Sequence, residues 1–330
     1  MGPEAEVLLH TIETPWADRL MKRLLVLLQL GCALLFLLWA FREIGWEDLK
    51  RTLPAVSVAA GITILSFRLF VYALLGLRLR TLLGGSIPTL LGVASSILCI
   101  GCNNILPARL GELCKIGYLR GKTACTAPVL LGAVAVERGM DVFCLLGLAL
   151  SFGVSMLPVH PVWGLAGIWM LAIAGWIVLW KTDLVAACCR VILPRFLQHW
   201  VEEMLVFLGS IRRTGGLYGM AVLSISIWGC NFIHTELLVN MLFTLNLSIQ
   251  QVGMLCVVLF GSSALFLIPG GYGLMEGAVT GLLLFWGVEK AQALTVALWG
   301  RLYYSLVPLV LSASIVACSS SVSFRQPMHE

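Results

Sequence analysis

Charge is scarce in this chain. Its 330 residues include 17 Asp and Glu and 22 Lys and Arg, 12% in all, against about 25% in an ordinary soluble domain. Hydrophobic residues make up 59% and the mean hydropathy is +0.96. Those values exclude a soluble globular protein. No polar stretch is long enough to fold as a sizeable soluble catalytic domain. Histidine is rare, at five residues, and no His, Cys, Asp and Glu grouping has metal-ligand spacing, so no metal and no cofactor are expected. Gly117-Tyr-Leu-Arg-Gly121-Lys122-Thr123 is one residue short of a nucleoside triphosphate loop and has no strand before it. Nucleophile elbows and dinucleotide fingerprints are also missing, which argues against an enzyme and against an ATP-driven machine.

Cysteine, by contrast, is plentiful. Most of the 11 lie inside apolar runs (Cys32, Cys144, Cys230, Cys256, Cys318), where the thiol packs as a small hydrophobe. Cys99 and Cys102 form a CxxC without a second pair, in an apolar setting that favours packing over redox chemistry. The +5 net charge flanks apolar runs instead of forming one basic face, so no nucleic acid partner is expected.

Uncharged runs such as Leu24–Phe41, Val162–Trp180 and Leu217–Ile233 approach or reach the ~20 residues that cross a hydrocarbon core. The expected fold is an all-α polytopic membrane protein with about six transmembrane crossings. Residues 1–23 read as a cytoplasmic amphipathic N-terminus closed by Arg19, Lys22 and Arg23, with no cleavage site after Phe41. Residues 24–318 read as one membrane domain, and 319–330 as a cytoplasmic tail. Crossings are expected at about Leu24–Phe41, Ala55–Leu77, Cys125–Phe152, Val162–Trp180, Leu217–Met241 and Ala293–Cys318, with Arg78 and Arg80 marking return to the cytoplasm. An interfacial amphipathic connection occupies 182–213.

Two further apolar runs do not fit as simple spans. If Ile87–Leu106 crossed, the loops carrying Arg109, Lys115, Arg120 and Lys122, and later Arg212 and Arg213, would lie outside, against the positive-inside bias. It reads instead as one limb of a re-entrant hairpin that turns through Pro107. Val252–Ile268 likewise meets Pro269-Gly270-Gly271-Tyr272-Gly273 before a second apolar run to Trp286. Pro107, Gly111, Pro269, Gly270, Gly271 and Gly273 are the expected helix breaks, tolerated in lipid only where protein or a water-filled cavity satisfies the backbone. Each break carries a Pro with a Gly four residues later and then an acid, Glu112 or Glu276. That correspondence raises an inverted repeat of halves 24–158 and 162–318, an architecture that places a transport site at the breaks.

Several ionisable residues fall where lipid would make them costly. Glu137, Arg138 and Asp141 share one stripe of the third crossing, which makes a polar interior site the default reading. The plain alternative is a local ion pair that fixes packing. Glu276 needs a partner at mid-depth, and Arg301 or Arg138 is available. Arg301 could also anchor at the interface by snorkelling. Arg68, His234 and Glu236 are weaker candidates. Around the first break, Asn103, Asn104, Arg109 and Glu112 offer a planar guanidinium fork and amide donors suited to a lipid phosphate, or caps for an interrupted helix.

Asn103 to Leu113, Glu137-Arg138 with Asp141, and Ile268 to Glu276, followed by an Arg in the last span, together resemble the flippase-like membrane family. That family includes the N-terminal region of the lysylphosphatidylglycerol synthases known as multiple peptide resistance factors. The resemblance covers nearly the whole chain. It implies a lipid translocase domain without the aminoacyl-transferase domain. The residues carried over as substrate-binding are Arg109, Glu112, Glu137, Arg138, Asp141, Glu276 and Arg301. Expected partners are membrane lipids: an anionic phospholipid, an aminoacyl lipid or a polyprenyl-phosphate-linked sugar. A homo-oligomer or an envelope-biosynthesis partner would also fit. The expected location is a bacterial-type inner membrane with both termini cytoplasmic. The competing readings are a membrane transferase using a lipid-phosphate donor, with Glu112 or Asp141 as base, and a non-transporting subunit of an envelope-assembly complex.

Overall fold

The computed structural model describes residues 58–106, 109–153, 195–213, 216–262 and 274–321, together with Leu27 and Met170. All regular structure among them is helical. Helix α1, Val58–Leu82, has 25 residues, and at 1.5 Å per residue it is about 37 Å long, enough to cross a hydrocarbon core of ~30 Å. Short helices α2 (Thr89–Asn103) and α3 (Gly111–Arg120) follow, then the 27-residue α4 (Ala127–Gly153). After α5 (Arg195–Arg213) comes α6 (Gly216–Glu236), which runs on through a π-helical turn, Leu237–Leu242. Short helices α7 (Ile249–Ser262) and α8 (Leu274–Phe285) lead to α9 (Lys290–Arg301). A second π-helical stretch, Leu302–Leu306, joins α9 to α10 (Val307–Ser321) in one rod.

The element order long, short, short, long therefore occurs twice, in α1–α4 and from α6 to the α9–α10 rod. The two short pairs coincide with the two expected hairpins. Val58–Leu82, Gly216–Leu242 and Lys290–Cys318 are long and apolar enough to span a membrane. Helix α4 is as long, and carries Glu137, Arg138 and Asp141 inside it. Apolar side chains such as Val58, Phe70, Ile225 and Phe285 stand exposed on the bundle surface, the arrangement expected when lipid rather than water is the solvent.

Two turns among the described residues have identifiable causes. Asn103 ends α2, and its Oδ1 accepts the Gly111 N–H at 2.8 Å, satisfying a donor at the start of α3 that no helical carbonyl can reach. A Cβ on Gly111 would lie 2.3 Å from the Cys99 carbonyl oxygen, so only glycine allows α3 to fold back this closely on α2. Gly111 stands at the interruption between α2 and α3, as the first residue of α3 and its packing contact. After α6, Asn240 clasps the turn from both sides: its Oδ1 accepts the Leu247 N–H and its Nδ2 donates to the Leu247 carbonyl. Helices α1 and α2 approach through Gly92, whose Cβ would fall 2.5 Å from the Gly76 carbonyl oxygen.

Two large apolar cores stand out among the described residues. One gathers Leu79, Leu119, Leu130, Leu208 and Met220 from α1, α3, α4, α5 and α6. The other gathers Ile64, Leu238, Leu255, Val279 and Val296 from α1, the first π turn, α7, α8 and α9. Helix α1 thus belongs to both, one end in each. Helix α5 buries Leu205, Leu208 and Ile211 while Val206 faces outward, consistent with an amphipathic connection.

One boundary differs in a way that matters. The second crossing extends to Leu82 rather than Leu77, and Arg78 is completely buried instead of marking the cytoplasmic exit. The expected crossings Leu24–Phe41 and Val162–Trp180, residues 1–23 and breaks Pro107, Pro269, Gly270, Gly271 and Gly273 lie outside the described residues, as does the tail beyond Ser321.

Candidate functional site: a buried ionic cluster

Three helices, with the residue run that leads into one of them, bring seven charged side chains toward one region. From α4, Glu137, Arg138 and Asp141 project along one stripe. Helix α1 supplies Arg78, helix α3 supplies Glu112 and Lys115, and Arg109 stands just before α3. Arg78 holds Asp141 at two points, Nη1–Oδ1 2.7 Å and Nη2–Oδ2 3.3 Å. Its Nη1 also donates to Ser224 Oγ on α6 at 3.3 Å, and its Nε lies 3.7 Å from Glu137 Oε1. Lys115 Nζ donates to Glu137 Oε2 at 2.5 Å. Arg138 completes the chain, 3.2 Å from Asp141 and 3.4 Å from Glu112. Trp228 Nε1 on α6 donates a longer bond, 3.4 Å, to Asp141.

Four cations and three carboxylates give a net charge of +1 among these seven. The exposure is graded. Side chains of Arg78, Lys115 and Glu137 are no more than 3% exposed, whereas Arg138 is 36% and Asp141 18% exposed. The cluster therefore has a sealed end and an open end, and Arg138 stands at the open one. The ion-pair contact of Glu112 to Arg138 is long, at 3.4 Å. Arg109 adopts φ +55°, the left-handed region that costs a non-glycine residue about 1 kcal/mol or more. Strained backbone of this kind persists where surrounding structure over-determines it, often at functional sites.

A second ion pair sits between α8 and α9. Arg301 grips Glu276 with Nε–Oε1 2.5 Å and Nη2–Oε2 2.9 Å, and donates from Nη1 to Ser305 Oγ at 3.2 Å. Glu276 and Arg301 are 3% and 1% exposed, so Arg301 is an interior residue and not a snorkelling anchor. The two sites correspond. Glu112 and Glu276 each stand in the first turn of a hairpin's second limb. Each meets an Arg in the next long helix, Arg138 or Arg301, 26 and 25 residues further on. Asn104 links the regions: its Nδ2 donates to the Ile100 carbonyl at 3.0 Å and reaches the Ser305 carbonyl at 3.5 Å.

Of the residues expected to bind substrate, Glu112, Glu137, Arg138 and Asp141 join one cluster, with Arg109 at the head of α3, while Glu276 and Arg301 form the separate pair. Asn103 and Asn104 serve the backbone of the first turn and the link to Ser305. Sequence reasoning missed Arg78 and Lys115, both placed in cytoplasmic charge. The signal was there: Ile64, Val71 and Arg78 recur every seven residues on the buried stripe of α1, and Gly111, Lys115 and Leu119 recur every four on that of α3. A cleft of about 390 Å³ between the α3–α4 turn and α5, lined by Arg120, Thr123, Thr126 and Glu203, lies apart from these pairs. Among the described residues, no His, Cys, Asp and Glu group could hold a metal.

Short apolar helices set between long ones, with ionisable groups paired in the interior, define an all-α membrane protein with a polar interior. Residues 26–312 match the lysylphosphatidylglycerol synthase TM region, and the chain belongs to that family. Among curated proteins, no sequence matches the chain. The family places it among membrane proteins connected with lipids.

Proposed function

We propose that the chain is a lipid translocase that uses no ATP and moves a phospholipid or lipid-linked head group across a cytoplasmic membrane. The observation that carries this reading is the cluster's combination of a net positive charge with one accessible edge, at Arg138. A guanidinium fork matches phosphate in two-point geometry. An incoming phosphate would take over Arg138 from Asp141 and Glu112, while Arg78 and Lys115 keep Asp141 and Glu137 neutralised. Between substrates the carboxylates hold Arg78, Lys115 and Arg138, so these three cations are not left bare in a low-dielectric interior. The lipid chains stay in the bilayer throughout.

The related halves support alternate opening around the cluster. Head groups that suit the charge are anionic phospholipids, aminoacyl lipids, whose added amine the carboxylates would attract, and polyprenyl-phosphate-linked sugars. Both termini in the cytoplasm agree with the placement of basic residues.

The test is head-group transfer in proteoliposomes containing phosphatidylglycerol, cardiolipin, aminoacyl lipid or polyprenyl-phosphate sugar, with Arg138→Gln, Glu137→Gln and Arg109→Ala beside wild type. Selective transfer by wild type, lost in folded Arg138→Gln, is expected. No transfer of any panel lipid, with either orientation and an imposed proton gradient, would overturn the reading. Product formation from a lipid-phosphate donor would then identify a transferase, and loss of another protein's stability on deletion would identify a subunit.

A further inference from the structure

Halfway along α1, away from both ion pairs, lies a second charged group with different partners. Arg68 is 5% exposed and meets no carboxylate among the described residues. Its guanidinium lies over the rings of Tyr72 and Tyr304, 4.9 and 4.8 Å from their centroids. It donates to Tyr72 Oη at 3.1 Å and to Asn231 Oδ1 at 3.3 Å. These contacts are neutral, so among the described residues nothing compensates the charge at the middle of an apolar span, where an ionisable residue is by default a candidate functional group.

His234 also packs against Tyr304, the ring centroids 5.0 Å apart, and is fully buried. Its Nδ1 is 2.8 Å from Tyr304 Oη, which in turn is 3.3 Å from Thr235 Oγ1. Thr235 already donates its proton to the Asn231 carbonyl. The consistent assignment is a chain in which His234 Nδ1–H donates to Tyr304, Tyr304 to Thr235, and Thr235 to the backbone. Nε2 is then a bare acceptor, with no hydrogen-bond partner among the described residues.

Both π-helical stretches border this group: Tyr304 lies within Leu302–Leu306, and Leu237–Leu242 starts just after Glu236. π-turns concentrate at functional sites because they re-aim side chains out of the helical ladder.

We propose that Arg68 and His234 form a second ligand site, which takes a phosphodiester whose ester arm carries a hydroxyl. The phosphate oxygens receive the free Arg68 N–H groups and supply the missing negative charge. The hydroxyl donates to His234 Nε2. Arg68 is ten residues from Arg78 on one helix, about 15 Å along its axis, so the site is a mid-depth station beyond the ionic cluster. Only the source of the ligand, a lipid head group, rests on the translocase reading; the anion chemistry stands on the side chains.

Histidine-selective ¹⁵N NMR of the full chain in neutral-detergent micelles tests this, with the His234 resonance assigned by its loss in His234→Gln. Titration with short-chain phosphatidylglycerol should move the Nε2 resonance. Phosphatidylethanol, which lacks the hydroxyl, should bind about tenfold more weakly, and diacylglycerol should have no effect. Arg68→Lys, which keeps the charge but not the fork, should also weaken binding about tenfold. A response to inorganic phosphate as strong as that to the lipid would support the anion site and assign it a soluble source. No response to phosphatidylglycerol or phosphate, or an equal response to diacylglycerol, would overturn the proposal. Equal responses to phosphatidylglycerol and phosphatidylethanol would overturn the hydroxyl contact. Binding without transfer in proteoliposomes would refute the translocase alone, and transfer without an Nε2 response would refute this site alone.

Discussion

Arg78 and Asp141, 63 residues apart in the chain, meet through two parallel hydrogen bonds of 2.7 and 3.3 Å and so fasten α1 to α4 at the heart of the ionic cluster. This pair has the geometry in which guanidinium and carboxylate interact most strongly. Arg78 is wholly buried, so leaving either charge without the other is costly.

Arg78→Gln and Asp141→Asn should therefore each lower stability by about 3–5 kcal/mol, the usual cost of breaking a buried pair from one side. The double variant should lose clearly less than the sum of the two. Thermal unfolding in detergent, run as a double-mutant cycle, measures the coupling. Additive losses would show that the two side chains do not interact.

Arg301 offers a test of geometry rather than charge. Lysine at that position keeps the charge but cannot span both oxygens of Glu276 and reach Ser305 as well. Arg301→Lys should melt well below wild type, and Glu276→Gln should do the same by stranding the guanidinium. A wild-type melting curve for Arg301→Lys would mean that a point charge suffices there.

Lys115 and Lys122 lie seven residues apart but differ in access. Lys115 is 2% exposed and bound to Glu137, whereas Lys122 is exposed against the face of Tyr118. A water-soluble amine acylating reagent should modify Lys122 rapidly and leave Lys115 largely unmodified in the folded protein. Glu137→Gln should speed Lys115 modification by freeing its ammonium. Mass spectrometry of the peptides reads both rates, and equal labelling of the two lysines in wild type would contradict the buried pair.

The class of fold was legible because hydrophobic run length and the breaks at Pro and Gly are local properties. The run from Leu217 to Met241 predicts a span, and Gly216–Leu242 is a helix long and apolar enough to make one. The two Pro-x-x-x-Gly segments predict hairpins, and short helix pairs flank both. Glu137, Arg138 and Asp141 were legible from helical periodicity alone, since all three share a stripe of one helix. Arg78 and Lys115 were not placed, because a basic residue near the end of an apolar run has the same local signature whether it exits to water or turns inward. Its seven- or four-residue relation to buried neighbours is the subtler sign.

The sequence by itself determined that this protein lives in a membrane, that its helices are interrupted twice, and that costly charges lie within the bilayer, because each follows from transfer energetics along a contiguous segment. Only the tertiary structure decided which charges neutralise which. Lys115 rather than Arg138 donates to Glu137, Arg301 takes Glu276, and Arg68 lies between two tyrosines with no carboxylate partner among the described residues. Pairing of this kind depends on how helices distant in sequence pack, and Gly92 on Gly76 and Gly111 on Cys99 set approaches that bring those partners into range.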